Sequence, residues 1–291
     1  MATAFLQLGL AMAMVGSNVV VGKLLSQALP VSAVLLLRTT LAMLILTPLV
    51  AGAGRRLLLP RRVLLNLALQ ALLGTLAYNG LLLAGLRHTG ALTAGLVLSC
   101  LPAVTALGGA ALLGERLSAR RWLAVGLAAA GMMALTLARP GEADGSLLGM
   151  GLVFLAVLAE AGWILLSRLA ATHVQPLHAA FWMQIFSTTM LAIPGGVALR
   201  PYLATALRPD IAALLAYHAA TASVLSTLLW FSGLRYVPAG LAGVLTVLLP
   251  GSAALLAVLV LGERPAPVLA LGLGVMLASI LLATWPGQSR P

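Results

Sequence analysis

The sequence predicts an all-α integral membrane protein, with ten transmembrane helices built as two inverted five-helix repeats around a central cavity. Three observations carry that prediction. First, 62% of the 291 residues are hydrophobic and 8% are charged, against roughly 25% charged in a soluble domain. So little polar surface cannot cover a water-soluble globule of this length. Second, the apolar residues come in runs of about 20, the length that crosses a bilayer as a helix. Third, the second half of the chain repeats the first.

Punctuating the chain at charges, prolines and turn residues gives spans over residues 4–22, 31–51, 63–86, 92–113 and 122–138. The second five fall at 147–167, 177–199, 211–233, 239–261 and 268–285. The first run lacks a charged leader and a cleavage site, so it reads as a retained helix rather than a signal peptide. The connections leave no room for soluble domains. The organisation is a first repeat at 1–138, a linker at 139–146, a second repeat at 147–286 and a C-terminal tail at 287–291.

The net charge of +11 would suggest nucleic acid in a soluble protein. Here the basic residues sit between the apolar runs, a few at a time, which is the pattern of topogenic charge at a membrane surface. Nucleic acid is therefore excluded as a partner, and the lipid bilayer takes its place. With a cytoplasmic N-terminus, the inside segments hold Arg55, Arg56, Arg61, Arg62, Arg116, Arg120, Arg121, Arg168, Arg235 and Arg290. The outside segments hold Lys23, Arg87, Arg139, Arg200, Arg208 and Arg264. The positive-inside rule then places both termini in the cytoplasm, for a multi-pass protein of the cytoplasmic (inner) membrane. The single cysteine, Cys100, lies in an apolar run; it gives no disulfide framework and is expected to be a buried, inert thiol.

The repeat is read by self-comparison. Gly85-Leu86-Arg87 recurs as Gly233-Leu234-Arg235, Pro102 as Pro250, Gly114-Glu115-Arg116 as Gly262-Glu263-Arg264, and Gly126 as Gly274. All share one offset of 148 residues, and 18 of the 52 positions from Gly85 to Thr136 are identical across it. Pro30 and Pro48 pair with Pro176 and Pro194 at a slightly different offset. Five helices per unit is an odd number, so the second unit enters the membrane from the opposite side. Such inverted repeats commonly build transporters, with the substrate path at the repeat interface near the bilayer midplane.

On these residues the chain resembles the drug/metabolite transporter superfamily, in its ten-helix form with two EamA-type repeats. The paired Pro102 and Pro250 helices, each ending in a Gly-Glu-Arg turn, and the following helices with Gly126 and Gly274 carry the resemblance. It covers essentially the whole chain. It implies two inverted five-helix bundles around a central cavity, with the last helix of each half at the periphery. Within the superfamily the chain most resembles bacterial amino-acid exporters, including those for aromatic amino acids. Members that carry phosphorylated sugars use basic residues in the cavity. Here Arg38 is the only cation deep in a span, which speaks against a phosphate ester.

Polar groups in hydrocarbon are costly, so their positions mark candidate sites. Glu160 is the only carboxylate far inside a span, and it shares one helix face with Trp163 and Ser167 at i, i+3 and i+7. That face offers a carboxylate to an amino group, a ring and a hydroxyl, and a desolvated Glu is also a candidate for proton coupling. The third span carries Asn66, Gln70, Gly74 and Tyr78 at i+4 spacing, with Asn79 alongside. The eighth holds His218, Thr221, Ser223, Ser226, Thr227 and Trp230. Asn18 in the first span, and Trp182 and Gln184 in the seventh, complete the candidates for the cavity. Arg38 is open to three roles: snorkelling, pairing with Glu160, or binding a substrate carboxylate. Interhelical packing is the competing role for each polar stripe. Pro102 and Pro250 are expected to kink their helices, while Gly80, Gly85, Gly95 and Gly108 are expected to allow close helix contact.

The expected function is a secondary or facilitative carrier that exports amino acids or related small metabolites by alternating access. Multidrug or toxic-metabolite efflux on the same scaffold is the alternative. A membrane-embedded enzyme and a non-transporting packing subunit rank lower. No cofactor, metal or catalytic residue is expected, since G-x-x-x-x-G-K-[ST] and H-E-x-x-H are both absent.

Overall fold

The computed structural model describes residues 2–52, 59–137, 146–261 and 267–284. The Gly262-Glu263-Arg264 turn, most of the linker and the C-terminal tail lie outside them. Among the described residues, ten main helical units follow one another, one for each predicted span, with a short helical piece over 200–206 between two of them. They are α1 (Ala2–Ala28), α2 (Val31–Gly52), α3 (Arg61–Leu86) and α4, in two pieces, Ala91–Leu98 and Leu101–Leu113. Next come α5 (Ala119–Leu137), α6 (Leu147–Ala171), α7 (Pro176–Leu199) and α8 (Pro209–Leu234). Then come α9, in two pieces, Ala239–Leu245 and Leu248–Leu261, and α10 (Pro267–Thr284). Seven of these are long and apolar enough on their own to cross a membrane. α5 opens with Arg120 and Arg121, and α9 and α10 are apolar over shorter described stretches. The end of the bundle at which α1 begins is termed the near face, and the opposite end the far face.

The two halves interlock. α1 packs on α8 and α9, and its inverted counterpart α6 packs on α3 and α4. α2 pairs with α7, α4 with α9, and α5 with α10, each pair joining equivalent helices of the two repeats. Small residues set the close approaches. Gly85 and Gly108 abut Val153 and Leu165 of α6, and Gly233 abuts Ala4 and Leu8 of α1. Gly95 abuts Thr136 of α5. Gly80 has open space beside it, so it is no packing glycine; Gly126 and Gly274 are likewise open.

α4 and α9 break at equivalent places. The helix turns at Ser99–Cys100 ahead of Pro102 and at Thr246–Val247 ahead of Pro250. Proline has no N–H to give and its ring crowds the carbonyl four residues back, here Leu98 and Thr246. Cys100 sits at the first break and is exposed on the outer surface, against a groove with Leu147 and Phe154, so the expectation of a buried thiol is corrected. α3 and α8 share a second irregularity, a π-helical stretch over Leu72–Ala77 in one and Ala219–Leu225 in the other.

Charged groups tie helix ends together at the near face. Gly114 ends α4 in the left-handed region (φ 65°), where glycine carries no steric penalty. That turn aims Glu115 at the N-terminus of α9, and its two carboxylate oxygens accept from the Ala239 and Gly240 amides at 2.7 and 3.0 Å. Anionic groups are favoured at such termini by the free amides and the helix dipole. Arg168 donates to the Leu234 and Arg235 carbonyls at 2.7 and 2.8 Å, and Arg235 donates back to those of Ala171 and Val174 at 2.9 and 2.7 Å. The C-terminal ends of α6 and α8 thereby cap one another.

Candidate functional site

The polar stripes on α3 and α6 meet. The two helices run antiparallel, so α3 positions at i, i+4 and i+8 come opposite α6 positions in reverse order. Towards the near face, Ser167 Oγ donates to Gln70 Oε1 at 2.7 Å, and Gln70 Nε2 donates to Asn66 Oδ1 at 2.5 Å. In the middle, Gly74 lies under the Trp163 ring, where an added Cβ would come 2.9 Å from Cδ1. Beyond it, Tyr78 and Glu160 line a common cavity of about 170 Å³.

That cavity lies where the two broken helices face each other. Leu98 and Leu101 flank one break in its wall, and Thr246 and Pro250 belong to the other. Thr136 and Thr246 also line it, but each hydroxyl is satisfied within its own helix, by Met132 O and Gly243 O. Glu160 has no such outlet, and among the described residues no cation pairs with it. A lone charge at a helix centre costs about 2.5–3.5 kcal/mol on insertion scales.

A second polar cluster joins α1 and α8. Asn18 Nδ2 donates to Met14 O and Thr221 Oγ1, both at 2.8 Å, which turns its Oδ1 towards His218 Nδ1, also at 2.8 Å. Nδ1 of His218 therefore carries the hydrogen. Arg38 of α2 takes no carboxylate partner among the described residues, and its buried Nε has no acceptor. The expected option of pairing with Glu160 does not occur.

The remaining candidates separate. Trp163 stacks on Trp230 across α6 and α8, with centroids 5.3 Å apart and planes at 15°. Trp230 is enclosed, and its Nε1 has no partner among the described residues. Ser167 is buried in its hydrogen bonds away from the cavity. Asn79 turns from Tyr78 into a different space, a groove between α2 and α3, and donates to Thr75 O at 2.8 Å. Gln184 donates to Ser223 O at 3.2 Å, and Trp182 lies among Phe181 and Phe186. Sequence reasoning missed Thr136 and Thr246 in the cavity wall and the reach of Glu115 across the repeats. The repeated Gly-Glu-Arg turn was the signal for Glu115, but the amides that donate to it lie 124 and 125 residues away.

Two inverted halves with broken helices meeting at a cavity that holds a carboxylate make up the architecture of a membrane transporter. Each half separately matches the EamA-like transporter family, over residues 3–137 and 147–285, and the chain belongs to that family. A curated relative, an uncharacterized transporter YetK of Bacillus subtilis (strain 168), is 30% identical over 269 residues, covering 89% of this chain and 80% of the relative. A solved structure, described only as a crystal structure of a protein, shares the fold with a TM-score of 0.79. It is 19% identical, covering 97% of this chain and 96% of its own. The protein is thus a multi-pass membrane transporter of small molecules.

Proposed function

We propose that the protein exports amino acids or related small metabolites across the cytoplasmic membrane, as a secondary or facilitative carrier working by alternating access. One observation carries the reading: the cavity at the paired helix breaks holds a carboxylate, Glu160, unpaired among the described residues, beside the Tyr78 ring in an otherwise mostly apolar wall. A carboxylate there suits an amino group, and a ring with Leu and Met neighbours suits a small apolar side chain. At about 170 Å³ the cavity falls below the roughly 300–1,000 Å³ of pockets for drug-sized ligands, which favours a small metabolite over multidrug efflux. Arginine counts on the connecting segments support cytoplasmic termini. The Glu115 and arginine ties then lie on the cytoplasmic side.

The test is flux in proteoliposomes. Labelled threonine, methionine and phenylalanine are followed with and without an imposed pH gradient, for the wild type and Glu160→Gln. Saturable flux above empty liposomes is expected. Its absence for every amino acid, in protein shown to be folded, sinks this reading and moves the assignment to another solute class.

A further inference from the structure

Arg38 and its repeat mate behave differently, and the difference points to a ligand. Between α2 and α3 lies a groove of about 610 Å³ with Leu35 of α2, Thr75 and Asn79 of α3, and Arg87 among its lining residues. Arg87 follows the last turn of α3, at the far face. Arg38 lies one turn beyond Leu35 on the same side of α2. It is seven residues from the start of the helix, or about 10 Å inside the far face. Its enclosed Nε has no acceptor, and it faces no carboxylate among the described residues. The neighbouring Asn18, His218 and Thr221 satisfy one another and offer no charge to neutralise it.

The offset that pairs Pro30 with Pro176 and Pro48 with Pro194 pairs Arg38 with Gln184. Gln184 is neutral and fully explained: it donates to Ser223 O in the π-stretch of α8. The equivalent carbonyl in α3 is that of Thr75, 148 residues earlier, and Asn79 Nδ2 already occupies it at 2.8 Å. The scaffold therefore needs only a neutral donor at this place, and in the first repeat even that need is met by another residue. Arg38 is left with a charge that packing does not use. A guanidinium presents a planar fork that matches a carboxylate with two parallel hydrogen bonds.

We infer that Arg38, one turn beyond Leu35 of the α2–α3 groove, is the carboxylate-binding subsite of this carrier, with Arg87 in the groove lining drawing the anion in. The inference rests on the amino-acid reading above for its substrate and adds the group that distinguishes an amino acid from a simple amine. Asn79 faces the groove and Tyr78 the Glu160 cavity, so α3, just past its π-stretch, forms the wall between an acid-binding and an amine-binding station.

The test separates the two charges of the solute. Purified full-length protein is unfolded thermally in the presence of threonine, methionine and phenylalanine, their N-acetyl derivatives (carboxylate only) and their amides (amine only). The acetylated acids are expected to raise the unfolding midpoint of the wild type. That shift should vanish in Arg38→Gln and persist in Glu160→Gln, with the amides showing the reverse. In flux, Arg38→Lys keeps the charge but loses the fork, and KM for the acid is expected to rise about tenfold. This variant also carries the test should Arg38→Gln not fold. An acetyl-acid shift that survives Arg38→Gln, or none in the wild type, overturns the subsite. Amino-acid flux with unchanged KM in both Arg38 variants likewise overturns it while leaving the exporter reading intact. An Arg38-dependent acetyl-acid shift without amino-acid flux does the opposite.

Discussion

α3 and α8 occupy the same place in the two repeats and carry the same irregularity, yet they use it differently. Their π-stretches superpose across the offset of 148 residues, and in each a carboxamide occupies the matching carbonyl, Thr75 or Ser223. In α3 that carboxamide is Asn79 of the same helix, and the polar stripe runs on to Tyr78, Glu160 and the cavity. In α8 it is Gln184 of α7, and the polar residues run to Asn18 of α1. π-bulges recur at functional sites. The duplicated scaffold is thus preserved in its backbone faults and divergent in its side chains. On the proposed function, the fault lines serve the carrier cycle common to both halves, and the chemistry that chooses a solute is concentrated around α3, α6 and α2.

The largest expected effect follows from that asymmetry. Glu160 is contributed by the second repeat to a cavity whose polar wall is Tyr78 of the first. If the carboxylate carries a proton during the cycle, Glu160→Gln removes the response of flux to an imposed pH gradient while the protein remains folded. Equal gradient dependence in the variant would show that the coupling, if any, lies elsewhere.

Next in size is the aromatic pair. Trp230 is enclosed and stacks on Trp163, and its repeat mate 148 residues earlier is Leu82, which is only partly buried. Trp230→Ala is expected to cost about 3–5 kcal/mol in unfolding in detergent, the range for large aromatic truncations in a core. Leu82→Ala should cost well under that. Equal losses would mean that the two halves are packed alike at this level and that the comparison is overdrawn.

Smaller again is the tie at the near face. Glu115→Ala leaves the Ala239 and Gly240 amides without their acceptor and should cost about 1–2 kcal/mol, as loss of a helix N-cap does. Glu115→Gln keeps one acceptor oxygen and should lose less. Faster hydrogen exchange at those two amides, in the order Ala, Gln, wild type, is the direct readout. Unchanged exchange in the alanine variant would remove Glu115 from the closure.

Much of this was legible in the sequence because bilayer and repeat impose strong periodicities. Ten spans, the inversion and the paired proline breaks follow from run length and one offset. The two stripes were visible too, but not that they face each other: Ser167 was grouped with Glu160 as a cavity residue, whereas its hydroxyl closes on Gln70. A stripe states which residues share a face and is silent on what that face meets. The π-stretches were illegible because no residue type dictates them; the carbonyl each one frees takes a different partner, Asn79 of the same helix in α3 and Gln184 of another helix in α8. Cys100 was misplaced because an apolar run in lipid has an outside as apolar as its inside, so hydrophobicity no longer signals burial.

The finest test returns to the two bulges. Polar contacts between membrane helices average about 0.6 kcal/mol and reach about 1.7, so Gln184→Leu should lower stability by an amount in that range by freeing Ser223 O. Asn79→Leu frees Thr75 O as well, but Thr75 lines the groove, as Arg87 does. Water in the groove, or a side chain lining it, can replace the lost donor, and the stability loss should be smaller than for Gln184→Leu. The functional order should be reversed. Asn79 stands in the wall between groove and cavity, so its replacement should lower flux more than that of Gln184, although it destabilises less. A variant pair in which stability and flux fall together would make both carboxamides packing residues and nothing more.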